Sequence, residues 1–254
     1  MDRDYTVGVQ SVVYAERSLD ELLDELDETG IDDLELWGHH LDHADDEATI
    51  EAAQAALADH GVSICGHGVV DLEATGEARP HFALADRLGA DYVTVNYPPD
   101  RDDITEELIG LAEEYAMDVG IHNYSSVHHD DLSTVFSSID DVRAVLNRFE
   151  HPRLGTCMDT GHFLVEAVDP ADVIRELGDR INIVHLKDTS DAEEEDLPGA
   201  GRLDLPYLLN LLDEHADVSA PLVIEYELPD ERATAALQAA EANIRNALSA
   251  SGGE

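Results

Sequence analysis

The chain has 254 residues, 58 acidic against 14 basic, giving a formal net charge of −44. The acidic side chains are dispersed over the whole sequence instead of forming a tail, which reads as a solvated surface and argues against a nucleic-acid-binding face, since displacing phosphate counterions takes Lys and Arg. Self-repulsion on this scale is tolerated where salt shortens the Debye length, to about 3 Å at 1 M, so a salt-rich cytoplasm such as that of a halophilic archaeon is the expected setting.

Along the chain, short apolar or β-branched runs alternate with longer segments of helical period. The first run, 5–10, precedes a helix over about 18–28 with Ser18 as N-cap, a stripe of Leu19, Leu22, Leu23 and Leu26, and Gly30 as its stop. Run 33–37 leads to an acidic, Ala-rich helix over about 46–59, run 62–66 to a helix near 77–88, and run 92–96 to Pro98-Pro99 and a helix over about 104–116. In the second half, run 119–123 is followed by a long polar loop and a helix near 139–149, and run 154–158 by a helix over 170–177. Run 181–186 precedes a Gly-containing loop and a helix over 205–215, and run 222–226 precedes a closing helix over about 230–248.

Eight strand–helix units in a chain of this length, with no Ser/Pro/Gly-rich linker, predict an α/β protein with one domain over 1–254, a (β/α)8 TIM barrel. An open doubly wound sheet fits less well, because no glycine-rich phosphate loop follows the first strand. Cys65 and Cys157 lie inside apolar runs and read as small core residues without disulfide or CxxC metal spacing. No stretch approaches the roughly 20 apolar residues of a membrane span, and MDRDYTVGVQ has no signal-peptide architecture, so a soluble cytoplasmic protein is expected.

A barrel of this kind presents its chemistry at the C-terminal ends of its strands. Those ends carry, in order, Glu35 and Trp37, His67, Asn96, His122 and Asn123, Asp159 and His162, His185 and Lys187, then Glu225 and Glu227. Lys187 is the one lysine among the 14 basic residues. It stands two residues after His185, where both face the same side of a strand. Asp159, His185 and Glu225 end three successive strands and so should converge. Mixed carboxylate and imidazole donors suit Mn²⁺, Co²⁺, Fe²⁺ or Zn²⁺ better than Ca²⁺. Each also has a plainer reading: Asp159 as an N-cap, His185 as a structural histidine, Glu225 as an arginine partner.

The runs MDTGH, IVHLKD and VIEYE, with DLELWG in the second strand, resemble the xylose isomerase-like TIM barrel superfamily of sugar phosphate isomerases and epimerases. The resemblance implies a divalent metal ion (Mn, Co, Mg or Zn) on Asp159, His185 and Glu225, with His162 beside it against substrate. Where the epimerases of that group carry a glutamate at the end of the fifth strand, this chain has His122, in GIHNYSS. A two-carboxylate epimerisation is therefore not assumed; His122 is expected to be the fourth ligand or a general base. Other members carry an HNH-like run there, and Tyr124 replaces its second histidine.

The activity implied is isomerisation or epimerisation of a sugar or sugar phosphate, by proton abstraction through a metal-stabilised enediolate. Glu225, His122, Lys187 and His162 are its candidate catalytic groups. Trp37 would floor a sugar ring, His67, Asn96 and Asn123 would contact hydroxyls, and Glu35 and Glu227 are further carboxylates. The plainer reading of Lys187 is an ion pair with Asp188 or Glu225. His128-His129 lie in a polar loop that either is surface or covers the site. A metal-dependent dehydratase of the inosose dehydratase type and a non-catalytic metal- and sugar-binding barrel are the alternatives. An endonuclease IV-like activity is disfavoured by the acidic run 192–196. The expected partner is a small carbohydrate, with no nucleic acid and no membrane, and a homodimer or homotetramer would form through the least charged helix, near 205–212.

Overall fold

Strands covered by helices on one side and by a barrel core on the other are buried on both faces, and their sequences are then continuous apolar runs instead of alternating ones. The computed structural model, which describes residues 5–191, 195–229 and 232–251, shows this arrangement. The barrel strands are β1 (Val7–Gln10), β2 (Asp33–Leu36), β3 (Ser63–Asp71), β4 (Tyr92–Asn96), β5 (Asp118–His122), β6 (Leu154–Asp159), β7 (Ile181–Leu186) and β10 (Leu222–Ile224). A two-stranded antiparallel pair, β8 (Asp188–Thr189) and β9 (Glu195–Asp196), lies between the last two. All barrel pairings are parallel, and the order β1-β10-β7-β6-β5-β4-β3-β2 closes on itself, giving a (β/α)8 barrel in one domain.

The helices are α1 (Leu19–Leu26), α2 (Glu47–His60), α3 (Ala78–Leu88), α4 (Asp102–Tyr115), α5 (Ile139–Arg148), α6 (Thr160–Val165), α7 (Pro170–Leu177), α8 (Leu205–His215) and α9 (Ala233–Ser251). Local chemistry sets their ends. Ser18 and Glu21 form a capping box on α1, Pro170 starts α7 behind the Asp169 cap, and Gly61 closes α2 with φ +70°. Leu22, Leu23 and Leu26 of α1 are among the buried side chains of the core that the helices make with the outside of the barrel.

Two features depart from the sequence expectation. Strand β3 continues to Asp71 where Gly66 looked like its end, because Gly66 is a packing glycine: a Cβ there would collide with the Tyr92 ring. Helix α6 begins directly at Thr160, with Asp159 as its N-cap, where the sequence predicts no helix between β6 and 170. The expected start of the last helix, 230–231, lies outside the described residues, as do 192–194 of the acidic run.

Register fixes the level of the strand ends. Asp159 of β6 is paired with His185 of β7, Val223 of β10 with the same His185, and His122 of β5 with Cys157 of β6. Side chains from four neighbouring strands are thereby brought to one end of the barrel interior.

Candidate functional site

His122 ends β5, Asp159 ends β6, His185 lies near the end of β7, and Glu225 follows β10 directly. One ligand atom from each lies within 4.8 Å of the others. His122, Asp159 and His185 are wholly buried, and Glu225 retains 6% exposure. Burial without partners is costly for such groups. Yet both His122 nitrogens, Asp159 Oδ2, His185 Nδ1 and Glu225 Oε2 make no hydrogen bond. The one close approach among these atoms is an ion-pair contact, His185 Nδ1 at 2.5 Å from Glu225 Oε2. His122 Nε2 stands 3.8 Å from Asp159 Oδ2 and 4.0 Å from Glu225 Oε2. Two imidazoles and two carboxylates with their lone pairs turned toward one another form a donor set that fits a divalent transition ion.

The remaining atoms of these residues are tied down by the structure behind them. Asp159 Oδ1 caps α6 by accepting from His162 N (2.7 Å). Asn123 clamps the Asp159 backbone, its Nδ2 donating to Asp159 O and its Oδ1 accepting from Asp159 N. His185 Nε2 is held at 2.8 Å by Glu35 Oε2. Glu35 in turn accepts from the Tyr92 hydroxyl (2.8 Å) and from Thr94 Oγ1 (2.7 Å). A carboxylate can only accept, so it fixes the hydrogen on Nε2 and leaves Nδ1 to face the cluster, as metal-binding histidines require. Burial alone would raise the pKa of Glu35, but His185 first, then Thr94 and Tyr92, outweigh it and keep the group ionised.

Lys187 is 2% exposed. Its Nζ lies 3.0 Å from Glu225 Oε1, 3.4 Å from Glu195 Oε1 and 3.8 Å from Asp159 Oδ2. Burial opposes the ammonium, but Glu225, Asp159 and Glu195 outweigh it and hold its pKa well above the ordinary value. The same pairing works in reverse on Glu225, where burial is overcome by Lys187 and then His185, and the carboxyl stays ionised. His162 is driven the other way: burial pushes its pKa well below the usual value, so it is a neutral imidazole with Nδ1 3.0 Å from Ser125 Oγ. A cleft lined by Ser125, His128, His162, Lys187, Thr189 and Glu195 opens over these groups.

With this geometry in hand, the sequence pattern of the family described as xylose isomerase-like TIM barrel matches residues 23–247. The chain belongs to that family. Among solved structures, this xylose isomerase-like barrel is similar to a 3-keto-D-glucoside 4-epimerase of E. coli, with 18% identity, a TM-score of 0.73 and 96% of this chain covering 100% of that one. It is similar to the IOLI protein with a binding zinc atom (16%, TM-score 0.76, 98% of this chain and 100% of that one). A probable 3-DHS dehydratase of Bacillus anthracis involved in petrobactin synthesis shares the fold at 15% identity, with a TM-score of 0.71 over 94% of this chain and 97% of that one. No curated protein matches the chain.

The barrel brings together some of the residues singled out from the sequence and diverts others. His122, Asp159, His162, His185, Lys187 and Glu225 meet at the site. Glu35 does not face the mouth: it is wholly buried behind His185. Asn123 spends its amide on Asp159, and His67 uses both nitrogens internally, Nδ1 on Leu36 O and Nε2 on His81 Nδ1, so neither is disposed to contact a hydroxyl. Asn96 Nδ2 donates to Asp71 Oδ1. Trp37 is half-buried, with its ring 4.9 Å from that of His39, and Glu227 lies at the rim 3.8 Å from His128 Nε2. Lys187 ignores Asp188, which turns away to five backbone N–H groups, those of Thr189, Gly199, Gly201, Arg202 and Leu203.

Several site residues carried no signal of their own. Tyr92 and Thr94 support Glu35, and Ser125 orients His162. Tyr124 lays its ring 4.7 Å from His122 and 5.3 Å from His162, and His128 of the polar loop stands 4.9 Å from His162. These last two are singled out by the sequence: Tyr124 at the end of the HNH-like run, and His128 in a loop read as surface or as a cover for the site, which the structure places beside His162.

Proposed function

We propose that this xylose isomerase-like barrel is a divalent-metal-dependent isomerase or epimerase of a sugar or sugar phosphate, working by proton abstraction beside a carbonyl. The observation that carries the reading is the meeting of His122, Asp159, His185 and Glu225 with their lone pairs unsatisfied at the mouth of the barrel. These four would hold the ion. When bound, it would grip neighbouring oxygens of the substrate and draw off the negative charge that develops on them.

The chain's own groups supply the rest. Glu225, kept ionised by Lys187 and His185, is the carboxylate able to take a proton from carbon. The Lys187 ammonium, 3.0 Å from Glu225 Oε1, stands where it would stabilise an oxygen that gains charge as that proton leaves. Neutral His162, its Nδ1 fixed by Ser125, offers the other ring nitrogen for proton exchange with a substrate oxygen. The rings of Tyr124 and His128 flank His162, at 5.3 and 4.9 Å from its ring.

A dehydratase reading follows from one feature. The end of β5 carries His122 and no second carboxylate opposite Glu225. A single base suffices for elimination of water, or for moving a proton along one face of an enediol, but not for inversion by two opposed carboxylates. Incubating the metal-loaded protein with ketoses, inososes and sugar phosphates in heavy water, and following carbon-bound hydrogen by NMR, tests both. Solvent deuterium at one carbon with an isomeric product supports the first reading, loss of water the second. Silence over the panel from protein that binds metal sinks both.

A further inference from the structure

The ammonium of Lys187 is compensated in charge but not in hydrogen bonding. Glu225 Oε1 at 3.0 Å, Glu195 Oε1 at 3.4 Å and Asp159 Oδ2 at 3.8 Å surround it, yet these are ion-pair contacts only: Nζ makes no hydrogen bond and the side chain is 2% exposed. An ammonium has three N–H donors, and leaving them unused in a buried site is costly, so the partner that belongs there is an acceptor. Whether that acceptor can be an anion depends on how much positive charge is left over. Glu195 lies on β9 and lines the same cleft as Lys187. Its Oε2 accepts the Glu227 backbone N–H at 2.6 Å, which keeps Oε1 turned to the ammonium. Among the described residues that line the cleft, Lys187 is the only lysine or arginine. At the rim, Glu227 adds a further carboxylate, with ligand atoms of His128, Glu195 and Glu227 within 4.8 Å of one another. A divalent ion on the four converging residues would be matched in charge by Asp159 and Glu225, and Lys187 is then matched by Glu195. Nothing positive remains for an anionic ligand.

We propose that the substrate is an uncharged carbohydrate, and that Glu195 is the specificity residue that turns away its phosphorylated and acidic counterparts. The proposal rests on the metal-dependent reading of the site and narrows its substrate. A carbonyl or hydroxyl oxygen takes up the N–H groups of Lys187 without bringing a charge. A phosphate or carboxylate making the same contact would stand against Glu195 and Glu225 together, in a partly buried cleft where repulsion is stronger than in water and salt screens it less. Like charge set against a competitor is a means of discrimination that leaves the favoured ligand untouched.

Inorganic phosphate is the probe for Glu195. Its relaxation by Mn²⁺ bound to the protein, followed by phosphorus NMR at one fixed ionic strength, reads anion binding beside the ion. Glu195→Gln removes the charge and keeps an oxygen for the Glu227 N–H, and it should bind phosphate roughly tenfold or more tightly than the wild type. Equal affinity in the two proteins would overturn the role of Glu195. The substrate class is read on the wild type alone, by offering ketoses and inososes in heavy water, each beside its phosphorylated form. Turnover, seen as solvent deuterium on carbon or as loss of water, is expected of the free sugars only. A phosphorylated form turned over in preference to its free counterpart would overturn the proposal and leave the metal-dependent reading standing. Failure to bind Mn²⁺, or silence from both halves of the panel, would overturn that reading and the proposal with it.

Discussion

Glu35 acts on any metal through His185, and its removal should be felt as affinity. Its carboxylate holds His185 Nε2 at 2.8 Å and is itself anchored by Tyr92 and Thr94. Glu35→Gln keeps the shape but weakens the acceptor, and a 10–100-fold loss of metal affinity is expected, read by competition with a chelator. Asp159→Ala, which removes a donor outright, should abolish binding under the same conditions; equal metal content in wild type and both variants would end the metal reading. Away from the site, His81 offers a pH test. Burial first, then the neighbouring His67 and His43, lower its pKa to about 4. The folded state thus favours the neutral ring more than the unfolded chain, whose histidines titrate near 6.5. The sign follows: this contribution to stability is complete above about pH 6.5 and is lost as pH falls toward 4. His81→Gln, whose amide can still donate to His67 Nε2, should flatten the melting temperature of the metal-free protein across that window. An unchanged slope would show that the histidine pair does not control it.

Asp188 does for a loop what Glu35 does for a side chain. After β7 the chain must cross from the barrel mouth to α8, and the described part of that crossing is gathered on one carboxylate that accepts from five backbone N–H groups. Asp188→Asn replaces one acceptor oxygen by an NH₂ facing those donors, and the expected cost is about 2–4 kcal/mol. Denaturant unfolding measures it, and limited proteolysis should cut the segment before α8 faster than in the wild type. Nothing in the spacing announced this role. Lys187 and Asp188 are adjacent in sequence and opposite in charge, and the plain reading of Lys187 was an ion pair with Asp188 or with Glu225. The strand geometry turns them to opposite sides, and Lys187 goes to Glu225. The barrel itself was legible because each strand is an apolar run ending in polar residues, and a period of two or 3.6 needs only neighbours in sequence. The donor set was legible for the same reason, one residue per strand end. What escaped depends on contacts that no local pattern encodes: Glu35 with His185 across 150 residues, Asn123 with Asp159 across 36. The six-residue α6 escaped because it is too short to show a period.

Across the whole molecule, the dominant electrostatic fact is an excess of 58 acidic over 14 basic residues. Many of the arginines are already committed to surface pairs, such as Arg79–Glu114 at 2.7 Å, Arg87–Glu47 at 2.7 Å and Arg148–Asp102 at 2.8 Å. Exposed pairs of this kind contribute about 0–1 kcal/mol each and leave most of the carboxylates facing one another. The repulsion is spread over the helical shell that encloses the barrel, so its cost falls on the fold as a unit. Salt should therefore stabilise the protein strongly, by screening. The Debye length falls from about 10 Å at 0.1 M to about 3 Å at 1 M, so most of the rise in melting temperature with KCl is expected below 1 M. A rise confined to higher concentrations, or obtained with sulfate and not with chloride at equal ionic strength, would point to exclusion of salt from the surface instead. The two causes separate further with pH. Near pH 4.5 a substantial share of exposed carboxylates is protonated, since their unperturbed pKa values lie at about 3.9 and 4.3. Acid then does part of what salt does, and the KCl dependence of the melting temperature should shrink relative to pH 7. An equally steep dependence at both values would mean that carboxylate repulsion is not what salt relieves.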